Sequence, residues 1–250
     1  MGTMRTSRGL ARYGAIGAIT VLLVGLALVG GAECPLHRDI IQGFRTAGVL
    51  APQCWGAAAC RPFDAERCGT VLGEGSGALV LEAKEHALRR GTTARAVVAG
   101  YGLSGESFGM TSPDPSGSGV RRAANQALGG HPVESLGWIK THGTGTKLND
   151  AAECRGLASL CGDALRTIPL TSLKPSLGHC LGASTAVEAV AVIAALRRGL
   201  VPRTLGTTCV DAELPPCNIA LHTTRTTAPN VLVLAESFGG RCAALLLRAA

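Results

Sequence analysis

Two histidines, one lysine and one glutamate stand apart from the rest of the chain by type and surroundings. His142 opens the stretch HGTGTKLND, residues 142–150. His179 lies in TSLKPSLGHCLGASTAVE, residues 171–188, together with Lys174 and Glu188. Both histidines have a glycine beside them, which lets backbone and substrate approach closely. Imidazole N–H groups can donate to a developing oxyanion or exchange a proton near neutral pH. Glu188 sits in VEAVAVIAAL, where an unpaired carboxylate would be costly, so a buried cation is expected beside it. Lys174 is the candidate. One histidine at a strand end is an ordinary structural residue; two in equivalent loops point to a shared site.

Other chemistries fit less well. HGTGT has the glycines of a phosphate cradle but no P-loop lysine pattern and no dinucleotide fingerprint. The ten cysteines include no CxxC pair, so a zinc ribbon or redox motif is not expected, and reduced, buried thiols are. Cys180, beside His179, reads as a small buried residue opening a helix.

These side chains need a scaffold that brings two loops together. From Gly69 onward, strand-like and helix-like segments alternate. Strands are expected at 70–83, 95–103, 136–141, 168–173, 231–235 and 243–248, the last two as a hairpin. Helices are expected at 84–91, 120–130 and 183–199, and after Asp150, which with Glu153 fits a capping pair. The helix 183–199 is apolar nearly all round and should be central. Segment 51–69 reads as a connector. Alternation of this kind implies an α/β fold, a mixed sheet flanked by helices. Ligands in such folds gather at the carboxyl ends of strands. His142 directly follows one strand, Lys174 follows the next, and His179 precedes the central helix, so all three should converge.

Composition agrees with a large core. The chain has 250 residues, 46% of them hydrophobic and only 16% charged. Aromatics are scarce at 3%, so Ala, Val and Leu must do most of the packing. The net charge of +7 comes without a dense basic run or interleaved aromatics, so nucleic acid is not an expected partner. Near the amino terminus, Arg5, Arg8 and Arg12 precede the apolar run Ala15–Val29. That imitates a signal peptide or anchor, yet Gly17 and Gly25 break the run and it falls short of the roughly 20 residues of a spanning helix.

The motifs resemble those of the β-ketoacyl-[acyl carrier protein] synthases. THGTGTKLNDAAE (141–153) is similar to the family's first histidine motif, and SLKPSLGHCLGASTAVE (172–188) to its lysine and second histidine motif. GGAECPLH (30–37), RPFDAERCGTVLGEGSGALVLE (61–82) and ESFGG (236–240) match in order. The resemblance implies a thiolase-like fold: residues 1–68 as a remnant of an N-terminal half, and 69–250 as a complete βαβαβαββ C-terminal half. Ala15–Val29 would then hold the end of a helix and the last parallel strand of the first half. The implied reaction is decarboxylative Claisen condensation of an acyl thioester with malonyl-carrier protein. By resemblance, His142 and His179 donate to the enolate, Lys174 positions them, and Glu188 holds Lys174. Phe238 would wall and gate the acyl site, with Thr144, Thr146 and Asp150 as supporting residues. The implied partners are an acyl carrier protein and a second synthase subunit, as homodimer or heterodimer. A cytoplasmic location is implied, and no metal or organic cofactor.

Two departures qualify this. The family's nucleophilic cysteine lies upstream of GGAE, where this chain begins with MGTMRTS and has no cysteine before Cys34. The expectation is an incomplete or impaired copy. The final loop, ESFGGRC, is also short by a Phe-Gly unit that in the family supplies an oxyanion-hole N–H. Two other readings stay open: a non-catalytic partner of an active synthase, comparable to a chain-length factor, and a secreted or membrane-anchored protein.

Overall fold

The computed structural model describes residues 21–23 and 25–250. Arg5, Arg8, Arg12 and the start of the apolar run lie outside the described residues. Eleven strands are described. They are β1 (Val21–Leu23), β2 (Leu26–Glu33), β3 (Gly75–Glu82), β4 (Val97–Gly105), β5 (Leu136–Lys140), β6 (Pro169–Thr171), β7 (Leu200–Val201), β8 (Asn218–Ile219), β9 (Thr224–Arg225), β10 (Asn230–Ser237) and β11 (Arg241–Arg248). The helices are α1 (Arg38–Thr46), α2 (Lys84–Arg89), α3 (Ser118–Leu128), α4 (Lys147–Cys161), α5 (Lys174–Leu177) and α6 (Ser184–Leu196). The short α1, α5, β7, β8 and β9 were not anticipated.

The main sheet has six strands in the order β4-β11-β10-β5-β6-β8. It is mixed: β10, β5, β6 and β8 run parallel, while β11 pairs antiparallel with β10 and β4. Strands covered on both faces read as continuous apolar runs, and β5 (LGWIK) is buried throughout. Alternate residues separate the faces. Ile139, Leu232, Leu234 and Leu246 pack with α3 and α4, around Val120 and Leu157. Trp138, Val231, Val233 and Leu247 pack on the other face with Val192 and Leu196 of α6.

Helix α6 lies between the main sheet and a second, antiparallel sheet of β1, β2 and β3. Its all-round apolarity follows from that position. Close approach depends on glycine: a Cβ at Gly77 of β3 would lie 2.7 Å from the Ala186 carbonyl carbon.

Several expectations need correction. Both described pairings of β2 are antiparallel, so the end of the apolar run is not a parallel strand there. The segment expected as a strand over 70–83 pairs from Gly75 with β2, so the change of sheet falls between β3 and β4, later than residue 68. The stretch 51–69 is more than a connector: Phe63, Asp64 and Arg67 are buried. Asp150 and Glu153 do not cap. Helix α4 begins at Lys147 with Thr146 as its N-cap, and both acids point inward, fully buried.

Candidate functional site

Strands β5 and β6 end together. The Thr141 N–H donates to the Thr171 carbonyl at 2.8 Å, and the two chains then part into the loops that carry His142 and Lys174. The first loop turns at Gly143 (φ 46°). A Cβ there would be 2.6 Å from Ser172 Cβ, so glycine meets both the backbone angle and the lack of space. Ser172 Oγ donates to the Gly143 carbonyl at 2.7 Å and ties the loops together.

The two acids of α4 hold the loop from behind. Glu153 accepts the N–H groups of His142 (2.5 Å) and Gly143 (2.9 Å). Asp150 accepts those of Phe63 (2.8 Å) and Gly145 (3.2 Å). Burial pushes Asp150 up to about 6 and Glu153 to about 7, against the pull of these donors. Segment 69–73 clasps both histidine loops. The Gly69 N–H donates to the Gly145 carbonyl at 2.9 Å, and the His179 N–H donates to the Val71 carbonyl at 2.7 Å.

The side chains converge. The rings of His142 and His179 stand edge to face, 5.4 Å between centroids. Lys174 Nζ lies 3.3 Å from His142 Nδ1 and 2.9 Å from Glu188 Oε1. The other Glu188 oxygen accepts from Lys140 Nζ, which also donates to the Leu234 carbonyl at 2.8 Å. Lys140, Lys174 and Glu188 are 0%, 1% and 2% exposed, so the network is sealed from water.

Protonation follows from this arrangement. Burial, then Lys174, His179 and Lys140, holds His142 well below the ordinary imidazole range. Burial, with Lys174 next, brings His179 down to about 3. Both rings are neutral at pH 7. An ammonium can only donate, so His142 Nδ1 accepts from Lys174 and Nε2 carries the proton. The Ser184 hydroxyl, 2.9 Å from His179 Nδ1, can play the same part there. Burial pushes Glu188 upward, but Lys140 and Lys174 override it and hold the carboxyl at about 2. Burial lowers Lys140, and Glu188 opposes that shift.

Both histidines line a cavity of about 690 Å³, together with Thr144 and Thr146. Phe238, at the β10–β11 turn, lines it too and stacks on Phe44 of α1, with 6.0 Å between centroids. Asp150 does not reach the cavity; it acts behind the loop. Cys180 is buried just before α6, and burial raises its thiol. Sequence reasoning missed Lys140 and the role of Glu153. Among the described residues, no helix is long and apolar enough to cross a membrane.

Comparison with known proteins gives a consistent set of relatives. The families described as "Beta-ketoacyl synthase, N-terminal domain" and "Beta-ketoacyl synthase, C-terminal domain" match residues 7–87 and 95–208. The first match takes in the apolar run near the amino terminus. The 3-oxoacyl-[acyl-carrier-protein] synthase 2 of Rhizobium meliloti (strain 1021) is 38% identical over 226 residues, covering 88% of this chain and 53% of that protein. Nodulation protein E of Rhizobium sp. (strain N33) is 38% identical over 177 residues, covering 71% of this chain and 43% of that protein. The chain spans about half the length of these curated relatives. Among solved structures, a type II polyketide ketosynthase in complex with its acyl-carrier protein superposes with a TM-score of 0.86 at 30% identity, covering 90% of this chain and 56% of that one. A beta-ketoacyl synthase from Burkholderia phymatum STM815 superposes at 0.84 with 33% identity, covering 90% and 55%.

Proposed function

The chain belongs to the beta-ketoacyl synthase family, and on that premise we propose that its histidine site promotes decarboxylative condensation in fatty-acid or polyketide synthesis. The observation that carries this reading is the pair of neutral imidazoles facing one another on a single cavity. When carbon dioxide leaves a malonyl thioester, the electron pair of the broken C–C bond moves toward the thioester carbonyl. Charge collects on its oxygen. The Nε2–H groups of His142 and His179 meet that oxygen. Each preorganised donor of this kind is typically worth about 3 kcal/mol. Neutral rings suit the task, because an imidazolium would hand its proton to the enolate.

Lys174 fixes the His142 tautomer, and Glu188 with Lys140 fixes Lys174. The enolate carbon then attacks the acyl carbonyl carbon, and the thiolate that carried the acyl group leaves. No cysteine of this sequence is assigned that carrier role. Phe238 walls the cavity at its mouth. In this reading the chain carries the end of an N-terminal half and a C-terminal half. It meets an acyl carrier protein bearing the thioesters and pairs with a second synthase subunit, in the cytoplasm. Two related structures support the partners: one ketosynthase is seen with its acyl-carrier protein, and another, from Xenorhabdus doucetiae, with its chain length factor.

Carbon dioxide release from malonyl-pantetheine tests the proposal. Release above buffer is expected, falling about 100-fold in His142→Ala and in His179→Ala. Release that is unchanged in both variants rules the site out.

A further inference from the structure

Strand β10 turns Leu232 and Leu234 toward α3 and α4, and the next residue on that face is Glu236. Its cross-strand partner is Cys242, whose sulfur lies 4.0 Å from Glu106 Oε1. Glu106 is fully engaged: its oxygens accept the N–H groups of Gly119 and Asp114, both at 2.8 Å. Glu236 is not. Its Oε1 is buried and finds no hydrogen-bond partner among the described residues, although the residue lines the same cavity as the two histidines.

A buried, unpaired carboxylate is costly, and protonation relieves most of that cost. Burial pushes the Glu236 carboxyl well above its usual range, and Glu153, Glu106 and Asp150 push the same way. A neutral carboxylic acid both donates and accepts. It therefore suits an uncharged oxygen, whereas the neighbouring acids disfavour an anion. The rest of this wall, including Val49, Met110 and Leu148, suits an alkyl chain.

We propose that Glu236 is a specificity-determining residue: it hydrogen-bonds an oxygen function on the bound acyl chain, so that hydroxyl- or keto-bearing chains bind in preference to plain alkyl ones. This rests on the reading of the cavity as an acyl-thioester site.

Calorimetric binding to the full chain tests it, with octanoyl-pantetheine and its β- and δ-hydroxy derivatives as probes. One hydroxylated probe should bind about tenfold more tightly than the plain one, the worth of a hydrogen bond to a buried group. Glu236→Leu should erase the preference, and Glu236→Gln should keep part of it. Equal affinities in the wild type, or a preference that survives in Glu236→Leu, overturn the role of Glu236 and leave the acyl site standing. Failure of every probe to bind removes both. A second measurement does not depend on how well Glu236→Leu folds. The infrared difference between wild type and Glu236→Gln at neutral pH should show the carbonyl stretch of a protonated acid. A carboxylate band overturns the proposal.

Discussion

Lys140 leaves β5 toward α6 and meets Glu188, whose other oxygen holds Lys174. Glu236 leaves the neighbouring strand β10 on the opposite face and has no ion-pair partner among the described residues; Glu153, Glu106 and Asp150 raise its carboxyl more than Lys174 lowers it. The first face keeps its charges by pairing every one of them. The second meets its carboxyl with burial and other acids, which favour the protonated form. A buried ion network is fixed in place by its partners, so it suits positioning. A neutral acid with a free oxygen has capacity left for a ligand. The difference separates a residue that orients the site from one that can touch what enters it.

Breaking the paired face should have the largest effect. Glu188→Ala leaves two buried ammoniums facing each other, a loss of about 3–5 kcal/mol on the scale of broken buried pairs. Denaturant unfolding measures it. Lys140→Met should cost less, about 1–2 kcal/mol, because Lys174 still holds the carboxylate and methionine fills the volume. Equal losses for the two variants would mean that Lys140, not Glu188, is the hub.

The effect on the unpaired face has a distinctive sign. The folded value of Glu236 is raised above its unfolded 4.5. Its contribution to stability is full below pH 4.5 and is lost as pH rises toward the folded value. Glu236→Gln should therefore match the wild type near pH 4.5 and become progressively more stable than it as pH rises toward 7. Glu188 runs the other way. Its folded value of about 2 lies below 4.5, so its contribution is present above pH 4.5 and lost as pH falls toward 2. Thermal melts across pH distinguish the two glutamates. A Glu236→Gln gain that is the same at every pH would remove the protonated acid from the account.

Much of this was legible in the sequence. His142 and His179 stood out by their glycines, and Glu188 by the cost of burying a carboxylate in VEAVAVIAAL. The alternation of strands and helices placed both loops at one sheet edge. Lys140 was missed because a lysine at a strand end ordinarily reaches water. The signal was nevertheless present: it follows Trp138 by two residues in a strand buried on both faces, so its side chain had nowhere to go but inward. Glu236 follows Leu234 in the same way. Glu153 was misread because an acid early in a helix commonly caps it; only the tertiary position of the His142 loop shows which N–H groups it meets. The buried stretch around Phe63 has no period at all. It folds by contacts with distant residues such as Asp150, which no local pattern records.

The central claim is that two neutral imidazoles share one cavity, each with its proton on Nε2. Nitrogen-15 NMR of the histidine side chains, titrated downward from pH 8, tests it directly. Both resonances should keep the neutral Nε2–H pattern through pH 5, with His179 beginning to change only as its value of about 3 is approached. Titration of either ring near 6.5, or a proton on Nδ1 of His142, contradicts the account.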